Sequence, residues 1–330
     1  MASKSNCWIG FDLGGTKMMA TVFDGSFTQI ARARKKTKAV EGVTSTINRI
    51  KKLIRDVLDE AGIDVGKCSG IGMAVPGLLN LDRGIILDAP NLGWKKIAIR
   101  SILEEEFGCP VAVVNDVDAG VYGEYRHGAA KRARCVVGVF PGTGIGGGCV
   151  YKGDILRGKS FSCLEIGHIQ IVPNGPFCGC GRQGCLEAVA SRLYIASEAI
   201  KAAYRGEAPH LLEIAGTDIA QVRSGAIAAS IQAGDRAVER IVRQSAQWLG
   251  IGIATAVNLL APDTIVLGGG LVEALPDIYG EVVGDTACSR VMPSFKNAFK
   301  VVVARLGDDA STTGAAAWMQ KALEESEQIA

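Results

Sequence analysis

The 330-residue sequence predicts an α/β fold built from two related domains. Three observations predict it. Short apolar runs of strand length alternate with helical stripes. Glycine, at 42 residues, falls in bursts beside the runs instead of evenly. And residues 9–25 can be laid without gaps on residues 137–153. With 48% hydrophobic residues, the chain can fill two sizeable cores.

The elements follow in order. Cys7–Leu13 is a short apolar strand, then a Gly-Gly-Thr turn and a returning strand, Met18–Phe23. The basic run around Arg32–Lys38 is short and reads as a solvated hairpin edge rather than a nucleic-acid patch. Asn48–Ala61 carries one apolar stripe, Ile50, Leu53, Ile54, Val57 and Leu58, at helical period. Strands are expected at Gly70–Val75 and Val111–Val114, separated by a helix over Ile97–Phe107, an alternation typical of a mostly parallel sheet. Arg134–Phe140 is again a strand and runs into Pro-Gly-Thr-Gly and a glycine-rich return. Ala237–Leu260 reads as a long helix, Thr264–Leu267 and Val301–Arg305 as strands, and Ala310–Glu325 as the closing helix.

The overlay of 9–25 on 137–153 matches Gly10 with Gly138, Gly14 with Gly142, Val22 with Val150 and Gly25 with Gly153. Both segments are strand, Gly/Thr turn, strand, so each domain opens on a hairpin whose turn is the size of a phosphate. The boundary is expected near residue 116. Residues 1–116 would form a small α/β domain and 117–309 a larger one, with a helix over about 310–330 packing back on the first.

Formal net charge is +2 and 21% of residues are charged, which points to no polyanionic partner. No apolar run is long enough to span a bilayer, and the residues up to Cys7 resemble no signal peptide. Ten cysteines in a chain this long are not a small secreted disulfide scaffold. Most, such as Cys68, Cys135 and Cys149, are expected to sit singly as buried thiols, in a reducing, cytoplasmic compartment.

Three motifs carry chemistry. Asp12-Leu13-Gly14-Gly15-Thr16 sets a carboxylate at a strand end beside a tight turn. Free N–H groups there can meet phosphate oxygens, and Asp12 can hold magnesium through water. Gly142-Thr143-Gly144 with Gly146–Gly148 offers a second set of donors and a hydroxyl, and Gly268–Gly270 follows a third strand. None matches a Walker loop, and strand formers follow where a dinucleotide fingerprint needs a helix. An ordinary hairpin turn is the alternative for each loop alone. Second, His168, Cys178, Cys180 and Cys185 form H-x9-C-x-C-x4-C with intervening glycines, a closed tetrahedral donor set suited to structural zinc. Third, Asn115-Asp116 ends a buried strand, where α/β enzymes keep their sites. Asp118 is a further candidate there. Glu165, Glu187 and Asn91 can accept bonds from a polyhydroxylated ligand.

These segments resemble the ROK family, which groups sugar kinases with sugar-responsive repressors of the actin-like ATPase fold. The resemblance spans nearly the whole chain. It rests on Asp12–Thr16, Asn115-Asp116, Gly142–Gly148, Glu165-Ile166-Gly167-His168 and the run Cys178–Glu187. It implies a two-domain, ribonuclease H-like α/β fold with a cleft between the domains and ATP-dependent phosphorylation of a hexose. Asp116 would be the general base. Gly77, Asn91, Asn115, Glu165, His168 and Glu187 would bind the sugar with Asp116. Asp12, Gly14, Gly15, Thr16, Lys17, Gly142, Thr143 and Gly144 would serve ATP and magnesium, and Gly269 and Gly270 the adenosine. Relatives of this kind imply a homodimer. Glucose is the first choice of hexose; N-acetylmannosamine, N-acetylglucosamine, allose and fructose are alternatives, and inorganic polyphosphate is an alternative donor. The discriminating contacts are expected in loops around 77–94 and 153–165. The rival reading is a sugar-sensing repressor, which would need a DNA-binding region ahead of Asp12; the residues before it are too few to form one.

Overall fold

The computed structural model describes residues 7–159 and 163–329; of the loop expected to discriminate between hexoses, 160–162 lie outside these, as do the first six residues. The chain divides into two compact units. One takes the described parts of 1–132, 153–163 and 308–330, the other 133–152 and 164–307. The division therefore falls after Arg132 and not near residue 116.

In the first unit, β1 (Cys7–Leu13) and β2 (Lys17–Phe23) form an antiparallel hairpin, extended by β3 (Gln29–Lys36) at the edge. After α1 (Val43–Ala61), β4 (Cys68–Val75) joins β1 in parallel, and β8 (Val111–Asn115) joins β4. Between β4 and α2 (Ile99–Phe107) the chain inserts a small sheet, β5 (Leu78–Asn80), β6 (Ile85–Ala89) and β7 (Trp94–Ile97), which the sequence pattern had not announced. α3 (Asp116–Arg126) follows β8.

Period-two alternation in β1 decides what each face meets. Cys7, Ile9, Phe11 and Leu13 enter one core with the α1 stripe Ile50, Leu53, Ile54, Val57 and Leu58 and with Leu103 and Phe107 of α2. Trp8 faces the other way, against Ala316 and Met319 of α11 (Ala310–Ile329). α11 packs on α3, β1 and β4, and this is why the boundary moves: α3 is bound to the helix that closes the first sheet. The approach is close enough to need glycine. A Cβ on Gly72 in β4 would sit 1.8 Å from the Ala315 carbonyl oxygen. Gly72→Val should therefore destabilise the protein by at least about 3 kcal/mol in urea unfolding, through overpacking against backbone. A loss below about 1 kcal/mol would mean that α11 can move aside.

The second unit repeats the plan. β9 (Cys135–Pro141) and β10 (Ile145–Tyr151) form its hairpin; the two-residue β11 (Asp154–Ile155), next in the chain, falls in the first unit, and β12 (Thr264–Leu267) and β13 (Lys300–Val303) add in parallel beyond β9. The strands of the two hairpins begin and end at positions that correspond under the gapless overlay, but the ladders differ by one. Leu13 faces Met18 in the first, whereas Pro141 faces Ile145 in the second, so the second turn is one residue tighter. Helices α4 (Glu187–Ala190), α5 (Arg192–Tyr204), α6 (Pro209–Ala215), α7 (Ser224–Ala233), α8 (Arg236–Leu260), α9 (Gly270–Ala274) and α10 (Pro276–Arg290) complete it, with Val242, Leu249, Ile253 and Val257 of α8 in the core. Among the described residues no helix is long and apolar enough to cross a membrane.

The sequence predicts single buried thiols; the structure instead brings several of them together. Strand pairing sets Cys7 opposite Cys68, whose thiol is within hydrogen-bond reach of both Cys7 and Cys109. The Cys135 thiol is within hydrogen-bond reach of Cys149, its diagonal neighbour across the second hairpin.

Candidate active site

In the first unit the end of β1 presents Asp12 to the turn closed by Gly14 N–H donating to the Lys17 carbonyl at 3.0 Å. The buried Thr37 braces this turn, its hydroxyl on the Gly14 carbonyl at 2.6 Å and its N–H on that of Thr16 at 2.9 Å. Gly15 lies against Asn91, which is exposed in the short turn Pro90–Leu92; a Cβ on Gly15 would stand 3.2 Å from that of Asn91. The phosphate-sized turn and one expected sugar ligand are thus neighbours. Gly77 occupies the turn from β4 to β5 with φ of +98°.

Asn115 is the cap of α3. Its Oδ1 accepts from Val117 N at 2.9 Å and Asp118 N at 3.3 Å, which leaves the amide NH₂ as its outward donor. Asp116 is the first helical residue; its Oδ1 accepts from Val117 N at 3.0 Å, and its carbonyl from Ser311 Oγ at 3.3 Å. Asp118 turns inward along α3 and is buried, away from a ligand role. Burial pushes the Asp12 carboxyl up to about 7, and the charge of Asp116 adds to this while Lys17 opposes it. Two carboxylates within electrostatic reach at the ends of β1 and β8 suit a cation.

That shift carries a stability prediction. The folded protein holds a proton on Asp12 up to about pH 7, whereas an unfolded Asp ionises near 3.9. The folded state therefore binds the extra proton, and stability falls as pH rises through that window. Asp12→Asn should stabilise the ligand-free protein, by on the order of 2 kcal/mol more at pH 8 than at pH 5 in urea unfolding with chelator present. Equal effects at the two pH values would contradict the shifted carboxyl.

In the second unit the turn from β9 to β10 carries Gly142, Thr143 and Gly144, with Gly142 N–H donating to the Gly144 carbonyl at 2.8 Å. Glu187, at the start of α4, spans two motifs that the sequence showed as separate. Its Oε2 accepts from Ile145 N at 2.9 Å, and its Oε1 lies 3.6 Å from Cys178 Sγ. A side chain on Gly144 would collide with this carboxylate at 2.3 Å. The short 3₁₀ turn Ile166–His168 packs its Gly167 onto the Ile145 carbonyl and so presents His168; Glu165 just before it is exposed. A cavity of about 440 Å³ opens beside the turn, lined by Thr143, Phe177, Glu187, Tyr194, Glu198 and Lys201 among others. Gly269, with φ of +83°, and Gly270 start α9.

His168, Cys178, Cys180 and Cys185 converge, with one donor atom from each within 4.8 Å of all the others. Cys178 Sγ is 3.6 Å from His168 Nδ1, and Cys180 Sγ is 3.7 Å from Cys185 Sγ. Zinc–thiolate bonds of about 2.3 Å in a tetrahedron place ligand atoms about 3.8 Å apart, so the spacing fits such an ion. Burial pushes the Cys178 thiol up to about 12 and raises that of Cys185, a tendency that a divalent cation reverses.

Sequence reasoning passed over one residue of note in each unit. Asp308 pairs with Lys17 at 3.3 Å and with Arg34 at 2.7 Å, and its charge reaches Asp12. Arg192 donates to Thr143 Oγ1 at 3.0 Å. The Gly307-Asp308-Asp309 run ahead of the closing helix was the one legible hint of the former; nothing marked the latter.

The model of the ROK family matches residues 8–322. The glucokinase of Halalkalibacterium halodurans is 30% identical over 323 residues, covering 97% of this chain and 96% of its own. The xylose repressor of Bacillus spizizenii is 31% identical over 245 residues, 74% of this chain but 59% of the repressor. A ROK family glucokinase from Streptomyces griseus, solved in complex with glucose and AMPPNP, superposes with a TM-score of 0.83 at 28% identity, covering 96% of this chain and 99% of that one. The fold is the two-domain actin-like, ribonuclease H-like α/β fold, and the chain belongs to the ROK family.

Proposed function

We propose that the chain is an ATP-dependent hexose kinase whose acceptor is glucose, converted to glucose 6-phosphate. The observation that carries this reading is the pair Asp12 and Asp116, coupled in charge at the ends of two strands of one sheet. In the first unit, Asp116 takes the proton of the attacking sugar hydroxyl as its oxygen bonds the γ-phosphorus and ADP leaves. Asn115 through its free amide, Asn91 and Gly77 bind other hydroxyls. Asp12 would hold magnesium, and Gly14, Gly15, Thr16 and Lys17 would receive phosphate. When bound, magnesium neutralises charge on the transferring phosphoryl group, the main catalytic need of such reactions.

In the second unit, Gly142, Thr143 and Gly144 meet the phosphates, and Gly269 and Gly270 the adenosine. Glu165, Glu187 and His168 bind the sugar. His168 turns Nδ1 to the thiol cluster, so Nε2–H remains for a hydroxyl. Zinc held by His168, Cys178, Cys180 and Cys185 would fix that ring, the role second-shell and ligand geometry play at metal sites. Among the described residues no cysteine forms a disulfide. A cytoplasmic site of action and a homodimer belong to the same reading. A coupled assay with ATP and magnesium over glucose, N-acetylmannosamine, N-acetylglucosamine, allose and fructose tests it. The highest kcat/KM should be on glucose, and no turnover with any of them would sink the kinase reading. A repressor would instead bind DNA in a gel shift at physiological salt.

A further inference from the structure

Arg192 is the first residue of α5, after the cap Ser191, and it is held on three sides. Its backbone N–H donates to the Gly142 carbonyl at 2.9 Å. One guanidinium nitrogen donates to the Val222 carbonyl at 3.3 Å, and the other to Thr143 Oγ1 at 3.0 Å. It is partly buried, and burial together with the neighbouring charge of Arg223 holds its pKa below the ordinary arginine range.

The polarity of the Thr143 contact is fixed by chemistry. A guanidinium has five donors and no acceptor. Thr143 Oγ1 is therefore the acceptor, and its own hydrogen must point to something else. Thr143 is exposed, and its turn carries the second set of phosphate-sized donors. The Val222 end has a matching sense. Val222 leads through Arg223 into Ser224 of α7, whose Oγ lies 3.3 Å from the place a Cβ on Gly270 would take. One side chain thus ties the Gly142–Thr143 turn to the segment that backs the Gly269–Gly270 turn.

We propose that Arg192 is a positioning residue for the phosphoryl donor: it locks the Thr143 hydroxyl as a hydrogen donor aimed at a phosphate oxygen. The inference rests on the kinase reading only for the identity of that anion. The guanidinium acts through Thr143 and not on the sugar, so its effect belongs to nucleotide binding.

The test measures binding of AMPPNP with magnesium to the full chain by calorimetry, and kcat and both Michaelis constants separately. Arg192→Ala and Thr143→Val should each weaken AMPPNP about 10-fold, the worth of one directed hydrogen bond to a charged group. The double variant should be no weaker than about 10-fold, because both changes remove the same bond. Thr143→Ser should recover most of the affinity, Arg192→Lys part of it, and the Michaelis constant for hexose should move less than about twofold. Additive losses of about 100-fold in the double variant would overturn the proposal. So would a Thr143→Ser variant no better than Thr143→Val, a measure that stands if Arg192→Ala fails to fold. Because binding is read without turnover, a wild type that binds AMPPNP yet phosphorylates no hexose refutes the kinase reading while the coupling still decides this one. A wild type that binds no nucleotide refutes both.

Discussion

Asp116→Asn should keep its fold and its affinity for hexose and lose about 10²–10⁴-fold in kcat, the usual contribution of a positioned general base. The amide has the shape of the carboxyl, and its oxygen can still accept from Val117 N, the contact that seats the side chain at the start of α3. What it cannot do is take a proton from an attacking hydroxyl. A second, independent signature follows from the charge coupling. Asp116 is one of the causes that raise the Asp12 carboxyl, so removing its charge should lower that pKa and move the pH dependence of stability of the ligand-free protein toward acid. The two readouts separate a base from a merely structural carboxylate. A variant with turnover within about threefold of wild type would remove Asp116 as base, even if the Asp12 titration moves as expected.

Much of this site could be read from the sequence because its parts are local. The hairpins declare themselves by apolar runs around Gly-rich turns, and the α1 stripe by its period; each needs only neighbours in the chain. The zinc-type donor set was legible for the same reason: three of its ligands lie within eight residues, with glycines between. What was not legible depends on contacts between distant segments. The Lys17–Asp308 pair joins the first hairpin to the run just ahead of the closing helix, nearly the length of the chain apart. The thiol contact of Cys7 with Cys68 exists because β1 and β4 pair in parallel, which no local pattern announces. The expected break near residue 116 failed similarly. It followed the end of a strand, whereas the true division follows the packing of α3 on α11. Glu187 is intermediate. Its place beside the cysteine loop was visible, but its second contact, to the backbone of Ile145, makes it a bridge rather than a free acceptor.

Cys180→Ser is the sharpest test of what the thiol cluster does. Cys180 is exposed, so exchanging sulfur for oxygen opens no cavity and should leave stability in the absence of metal within about 0.5 kcal/mol. The loss should instead appear in metal retention, with affinity for zinc falling by at least about 10²-fold, since a neutral hydroxyl replaces a thiolate in a closed tetrahedral set. Its consequence for function runs through His168, whose Nδ1 lies 3.6 Å from Cys178 Sγ. On the proposed reading, without the ion that ring would be free to rotate and the sugar would lose an oriented donor. The Michaelis constant for hexose should rise about 10-fold while that for ATP stays within about twofold. Chelator treatment of the wild type should reproduce this split, and treatment of the variant should add nothing. If zinc leaves and the affinity for hexose does not change, the metal braces only its own loop. His168 would then owe its orientation to the packing of Gly167 on Ile145 alone, and the cluster would be separable from catalysis altogether.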